Sequence, residues 1–249
     1  MRILTAVFFT VILFASCSSS KSSQSASDSA PVNVLTKAEK KEGWQLMYDG
    51  KTKKGWHVYL NRTDGSSWKS ENGTLMFDPS AKVDGKPSGN GDLVSDGEYE
   101  NFHFSVEWKI SEKGNSGIIF LAQEDPKFRH SYYTGAEMQV LDNEGHNDGK
   151  IISHRAGDLY DLIKSSSEPV KGPGQWNKAE IRILNRKLDL FMNGVNVVST
   201  TMGDAQWDKL VAGSKFKTMA DFAKHTKGHI VLQDHGDLVW YRNIKIRIL

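Results

Sequence analysis

The sequence predicts an all-β domain, a β-sandwich with one or two short helices, and three observations carry that expectation. Apolar and polar residues alternate with a period of two along several stretches. Gly, Asn and Asp turns separate those stretches, and neither helical-looking segment is long.

Taken in chain order, the first helical segment is Thr36 to Glu42. Phe102, Phe104, Val106, Trp108 and Ile110 then alternate with His103, Ser105, Glu107 and Lys109, the pattern of a half-buried strand. Gly117 to Ala122 and Ala179 to Leu184 read as further strands. Leu188, Leu190 and Met192 lead into Asn193-Gly194, and Val195, Val197 and Val198 follow. Asn-Gly between two such runs is a strong hairpin signal, because both turn residues must take positive φ. Part of Asp208 to His225 reads as the second helix. Ile230 to Gln233, and Ile244, Ile246 and Ile248, read as the last strands.

The N-terminus has a different character. Arg2 precedes an apolar run from Ile3 to Ser16, closed by Phe14-Ala15-Ser16-Cys17. That run is shorter than the ~20 residues a membrane-spanning helix needs, so it reads as an export signal, residues 1–16. Small residues before the cysteine resemble the bacterial lipobox, which implies cleavage before Cys17 and acylation of its thiol. Cys17 is the sole cysteine of the sequence, so an intrachain disulfide and a thiol nucleophile in the mature domain are excluded. Residues 17–42 are expected to be a lipidated, Ser-rich tether, and 43–249 the folded domain. The expected location is the cell envelope, membrane-anchored and facing the periplasm. Lys and Arg total 32 against 30 Asp and Glu, with no basic run, which argues against a nucleic-acid partner. The sequence names no protein partner.

Four polar constellations are candidates for chemistry. In Glu137-Met138-Gln139-Val140-Leu141-Asp142, a strand would put Glu137 and Gln139 on one face, with Met138 and Val140 on the other. Asp142 joins Glu137 only at a bulge or strand end. The plain alternative is a solvent-facing strand surface. His154, Arg155, Asp158, Tyr160 and Asp161 crowd around Gly157, which suits either a site-forming loop or a turn held by an Arg–Asp pair. Gln233 and His235 share a face at a strand end, a place for proton transfer or metal binding, or for a structural histidine. Residues 142–149 are rich in oxygen donors but lack the EF-hand spacing, and read mainly as a loop. There is no Gly-rich phosphate loop, G-x-S-x-G or H-E-x-x-H, and no organic cofactor is expected. Glu137, Asp142, His154 and His235 together offer oxygen and imidazole donors. They suit a divalent ion such as calcium, magnesium or manganese if oxygens dominate, and a softer metal if the histidines do.

An ordered series of motifs resembles the 3-keto-disaccharide hydrolase domain family. It begins with Gly43-Trp44, Leu46-Met47-Tyr48-Asp49-Gly50, Gly55-Trp56 and Glu71-Asn72-Gly73-Thr74-Leu75. It continues with Tyr99-Glu100-Asn101-Phe102, Asn115-Ser116-Gly117-Ile118, Gly135 to Asp142 and Gly174-Gln175-Trp176-Asn177. Gly228 to Gly236 and Tyr241-Arg242-Asn243-Ile244 complete it. Phe120-Leu121-Ala122 departs from the family, which often has an arginine there, and the 154–161 segment resembles a subgroup feature.

The resemblance implies a concanavalin A-like jelly roll and a carbohydrate substrate, a glycoside already oxidised to a ketone at carbon three. That ketone acidifies the proton on carbon two, so a base can remove it and the carbon-one substituent can leave. Glu137, His154 and His235 are the expected proton-transfer residues, with the base not assigned among them. Gln139, Arg155, Asp158, Tyr160 and Gln233 are the expected sugar-binding residues. Two other readings stand beside this one: an ordinary jelly-roll glycoside hydrolase, and a non-catalytic carbohydrate-binding module, since one fold hosts many functions.

Overall fold

Strand alternation resolves into two antiparallel sheets. In this computed structural model the described residues are Met1, 31–83, 86–87 and 89–249. The export signal, Cys17 and most of the expected tether lie outside them. The strands are β1 (Gln45–Leu46), β2 (Trp56–Val58), β3 (Trp68–Glu71), β4 (Thr74–Phe77), β5 (Lys82–Val83), β6 (Lys86–Pro87), β7 (Leu93–Tyr99) and β8 (Phe102–Ile110). They continue as β9 (Asn115–Ala122), β10 (Ala136–Leu141), β11 (Asn177–Leu184), β12 (Lys187–Met192), β13 (Val195–Thr201), β14 (Gly228–Leu232) and β15 (Val239–Ile248). Two α-helices are described, α1 (Lys37–Lys41) and α2 (Ala205–Ala212).

The larger sheet runs β13-β12-β11-β8-β15-β4-β3, with β1 also on β15; the smaller runs β10-β9-β14-β7-β2, and β5 and β6 pair apart from both. Phe102, Phe104, Val106, Trp108 and Ile110 of β8 share one core cluster with Ile118 and Phe120 of β9 and Met138 and Val140 of β10. Each large apolar side chain buried there contributes about 1.5–3 kcal/mol over exposure. The hairpin at Asn193-Gly194 forms as expected, with φ of 49° and 83°.

Two boundaries differ from the expectation. Pro31–Leu249 form one compact unit, so residues 31–42 belong to the fold and not to the tether. Asn33 explains why: its amide N–H donates to Asn243 Oδ1 at 2.6 Å, and Asn243 N–H donates back to Asn33 Oδ1 at 2.8 Å. Thr36 and Glu39 then close a capping box around α1. The second helix ends early. Gly213 follows α2, and Ser214 opens a separate 3₁₀ turn, Lys215–Thr218, by accepting from Phe216 N–H.

Candidate active site

The site lies on the face of the smaller sheet turned away from the core. Alternation along β10 sends Met138 and Val140 inward and leaves Glu137 and Gln139 on the other face. Those two are nonetheless buried. β10 is an edge strand, and its open edge is covered by the loop that follows. Gln139 N–H donates to Asp158 O, Gly157 N–H to Gln139 O, and Tyr160 N–H to Glu137 O. The loop thus pairs with the edge like a short extra strand, which satisfies its backbone and carries Tyr160 beside Glu137.

A cavity of about 330 Å³ opens here. Its floor is Glu137 and Gln139 of β10, Asn115 of β9, and Gln233 just beyond β14. Tyr160, Tyr132, Lys215, Phe216 and Met219 wall it, and His235 stands at the exposed rim. Gln233 reaches the floor because its N–H donates to Gly117 O at 2.9 Å. Its side-chain amide donates to Glu137 Oε2 at 3.4 Å. Among the described residues, Asn115 Oδ1 and Gln233 Oε1 are buried without a hydrogen-bond partner. A buried acceptor left open costs about 1–3 kcal/mol, so two on one cavity floor mark places for ligand hydroxyls.

The electrostatics centre on Glu137. Burial pushes its carboxyl up to about 8, with the Lys215 ammonium pulling the other way. Lys215 Nζ lies 4.0 Å from the centre of the Tyr160 ring and 5.2 Å from that of Phe216. Desolvation there lowers its pKa, opposed by the charges of Glu137, Asp161 and Asp148. Burial also holds the Tyr160 phenol well above its usual range, so it stays a donor. Asp92, which accepts from Ser131 Oγ and Asp234 N–H, is raised to about 6, again chiefly by burial.

Of the residues expected from the sequence, Glu137, Gln139, Tyr160, Gln233 and His235 meet at this cavity. The others do not line it. His154 is packed behind Tyr160 with ring centres 4.2 Å apart, and its Nε2 lies 2.8 Å from Asp161 Oδ1. The second Asp161 oxygen accepts from Lys215 N–H at 2.7 Å, so His154 braces the wall without touching the cavity. Asp158 is spent on turn amides, accepting from Arg155 N–H and Ser165 N–H. Arg155 joins loops, reaching Glu144, Glu168 and the Gly149 carbonyl. Asp142 sits just past β10 and accepts from Lys113 N–H. Glu137, Asp142, His154 and His235 therefore do not converge, and among the described residues no group of three His, Cys, Asp or Glu fits a metal ion.

Sequence reasoning missed Asn115, Tyr132, Lys215, Phe216 and Met219. Asn115 lies in the Asn115-Ser116-Gly117-Ile118 motif, and alternation puts it on the face of Gly117. Lys215 and its neighbours carry no local signal, because a 3₁₀ turn brings them across from the far side of α2.

Two antiparallel sheets packed over one core make this chain an all-β sandwich, here with a polar cavity on its smaller sheet. The chain belongs to the 3-keto-alpha-glucoside-1,2-lyase-like domain family, whose pattern matches residues 43–247. It is 34% identical over 229 residues to a 3-keto-disaccharide hydrolase of Bacteroides thetaiotaomicron, spanning 84% of this chain and 79% of that one. A candidate glycosyl hydrolase from Parabacteroides distasonis superposes with a TM-score of 0.77 at 29% identity, over 88% of this chain and all of the other. A second from the same organism gives 0.64 at 25% identity, over 83% and 99%.

Proposed function

We propose that the protein is a lipid-anchored envelope enzyme that cleaves 3-keto-glycosides by removing the proton on carbon two. The observation that carries this reading is one buried carboxyl, Glu137, raised to about 8 and ringed by open amide acceptors and a cation. A base with its pKa near the working pH combines basicity with availability. Glu137 takes the proton from carbon two, and the electron pair moves to the carbon-three oxygen as an enolate. Lys215 and the Tyr160 hydroxyl are the donors placed to hold that charge. The enolate then expels the carbon-one oxygen, which takes a proton from His235 at the rim, giving an unsaturated ketose and the free alcohol. Addition of water across the new double bond completes a net hydrolysis. Asn115, Gln139 and Gln233 hold the sugar hydroxyls.

An ordinary glycosidase places two carboxyl groups about 5–10 Å apart across the scissile bond. Among the described lining residues of this cavity Glu137 is the one carboxyl, and Gln139 stands where a partner on the same strand face would be. The deciding assay offers a 3-keto-glucoside beside its unoxidised parent. Turnover of the ketone alone is expected. Equal turnover of both would return the protein to the ordinary glycosidases, and turnover of neither would favour a binding module.

The anchor is tested separately. Mature protein is expected in the membrane fraction, and Cys17→Ala is expected to release it or to block its processing. A Cys17→Ala protein that is processed normally and stays on the membrane would remove the lipobox reading.

A further inference from the structure

We propose that a second concavity, across Met219 from the Glu137 cavity, is the subsite for a sugar leaving group. The proposal rests on the keto-glycoside reading and adds the place where the leaving group sits. This concavity measures about 440 Å³ and includes Phe128, Arg129, Tyr133, Thr218, Met219 and Asp221 in its lining. Met219 lines both spaces. Tyr132 faces the first and its neighbour Tyr133 the second, with ring centres 5.4 Å apart. The two tyrosine rings and the flexible Met219 thioether thus stand between the two spaces.

The chemistry of the second space suits a neutral polyhydroxylated ring. Half-buried Tyr133 offers aromatic surface for the apolar face of a sugar. Arg129 and Asp221 offer donors and an acceptor of opposite sign, so the space favours hydroxyls over a net charge. Neither side chain makes a hydrogen bond or ion pair among the described residues; Arg129 uses only its carbonyl, which accepts from Arg62. Lys127, the other cation here, already lies over the Phe128 ring and 3.8 Å from Asp125. The first cavity, at about 330 Å³, stands at the lower end of the range for small-molecule sites, so a second sugar ring needs further space.

Arg129→Ala separates the two spaces, because Arg129 is exposed and touches nothing in the first. The KM for a 3-keto-disaccharide is expected to rise about tenfold, the worth of one or two hydrogen bonds. The kcat/KM for methyl 3-keto-glucoside is expected to stay unchanged. Equal losses on both substrates, or no loss on either, would overturn the subsite. A turnover-independent measurement keeps this distinct from failure of the reaction itself. In saturation-transfer NMR with maltose, both rings are expected to receive saturation from the wild type, and the reducing ring to lose it in Arg129→Ala. Contact by one ring alone in the wild type, or two-ring contact persisting in the variant, would reject the subsite whether or not any ketone is turned over.

Discussion

Glu137→Gln is expected to lower turnover of a 3-keto-glucoside by about 100- to 10,000-fold, the usual contribution of a positioned acid–base group. The amide keeps the shape of the carboxyl and can still meet Gln233, so the floor of the cavity should survive. The same change should stabilise the protein in a pH-dependent way. The folded carboxyl titrates near 8, above its unperturbed 4.5, because burial disfavours the charged form. Below about 4.5 the group is neutral in both folded and unfolded chains, and Gln and Glu should be equally good. Between about 4.5 and about 8 the unfolded chain loses the proton while the folded one keeps it, so wild-type stability falls as pH rises. Above about 8 the difference is constant, on the order of a few kcal/mol in favour of Gln. Melting curves at pH 4 and pH 8 read this directly. Activity should run the opposite way in the wild type, with kcat/KM climbing through about 8 as the base form appears. A folded Glu137→Gln protein with near-normal turnover would remove Glu137 from the chemistry.

How far the sequence foretold this site depends on which force placed each residue. Period-two alternation with a buried partner face is a strong local signal, and it located β8, β11 and the Asn193-Gly194 hairpin; β9 reads instead as a continuous apolar run. The same alternation put Glu137 with Gln139. Gln233 and His235 reach the cavity by a different route from the one expected: β14 ends at Leu232, and Gln233 is drawn in by the Gly117 carbonyl. His154 could not be placed from sequence. Its neighbours Arg155 and Asp158 look like site residues but are consumed by turn amides and by Glu144 and Glu168. Polar density in a loop reports either ligand contact or loop closure, and only the partners distinguish them. Lys215 was illegible for the converse reason. It owes its position to Asp161, fifty-four residues earlier in the chain, through a bond no local pattern encodes.

Gly117→Ala is expected to cost as much as many direct hits on the site, about 100-fold in turnover, the scale on which ångström-sized misplacements act. Gly117 lies opposite Gln139 in the β9–β10 register, beneath the Glu137 side chain. A Cβ added there would sit 2.1 Å from Glu137 Oε1, 2.6 Å from its Cδ and 2.9 Å from its Cγ. None of those separations is tolerable, and the flexible carboxyl, not the strand, is the part able to move. The glycine is therefore a space for the base to lie in. Its backbone is not among those with positive φ, so alanine fits the strand without strain, and removing the glycine's extra freedom in the unfolded chain should stabilise by up to about 1 kcal/mol. An unchanged or raised melting temperature with a large loss of turnover is the expected signature. The pH profile should shift with it, since a carboxyl pushed out of its buried seat returns toward an ordinary carboxylate range. Gly117→Ala combined with Glu137→Gln should lose little more than Glu137→Gln alone, because both act through one group. Full additivity of the two, or wild-type turnover in Gly117→Ala, would show that the base does not work from the position it holds above Gly117.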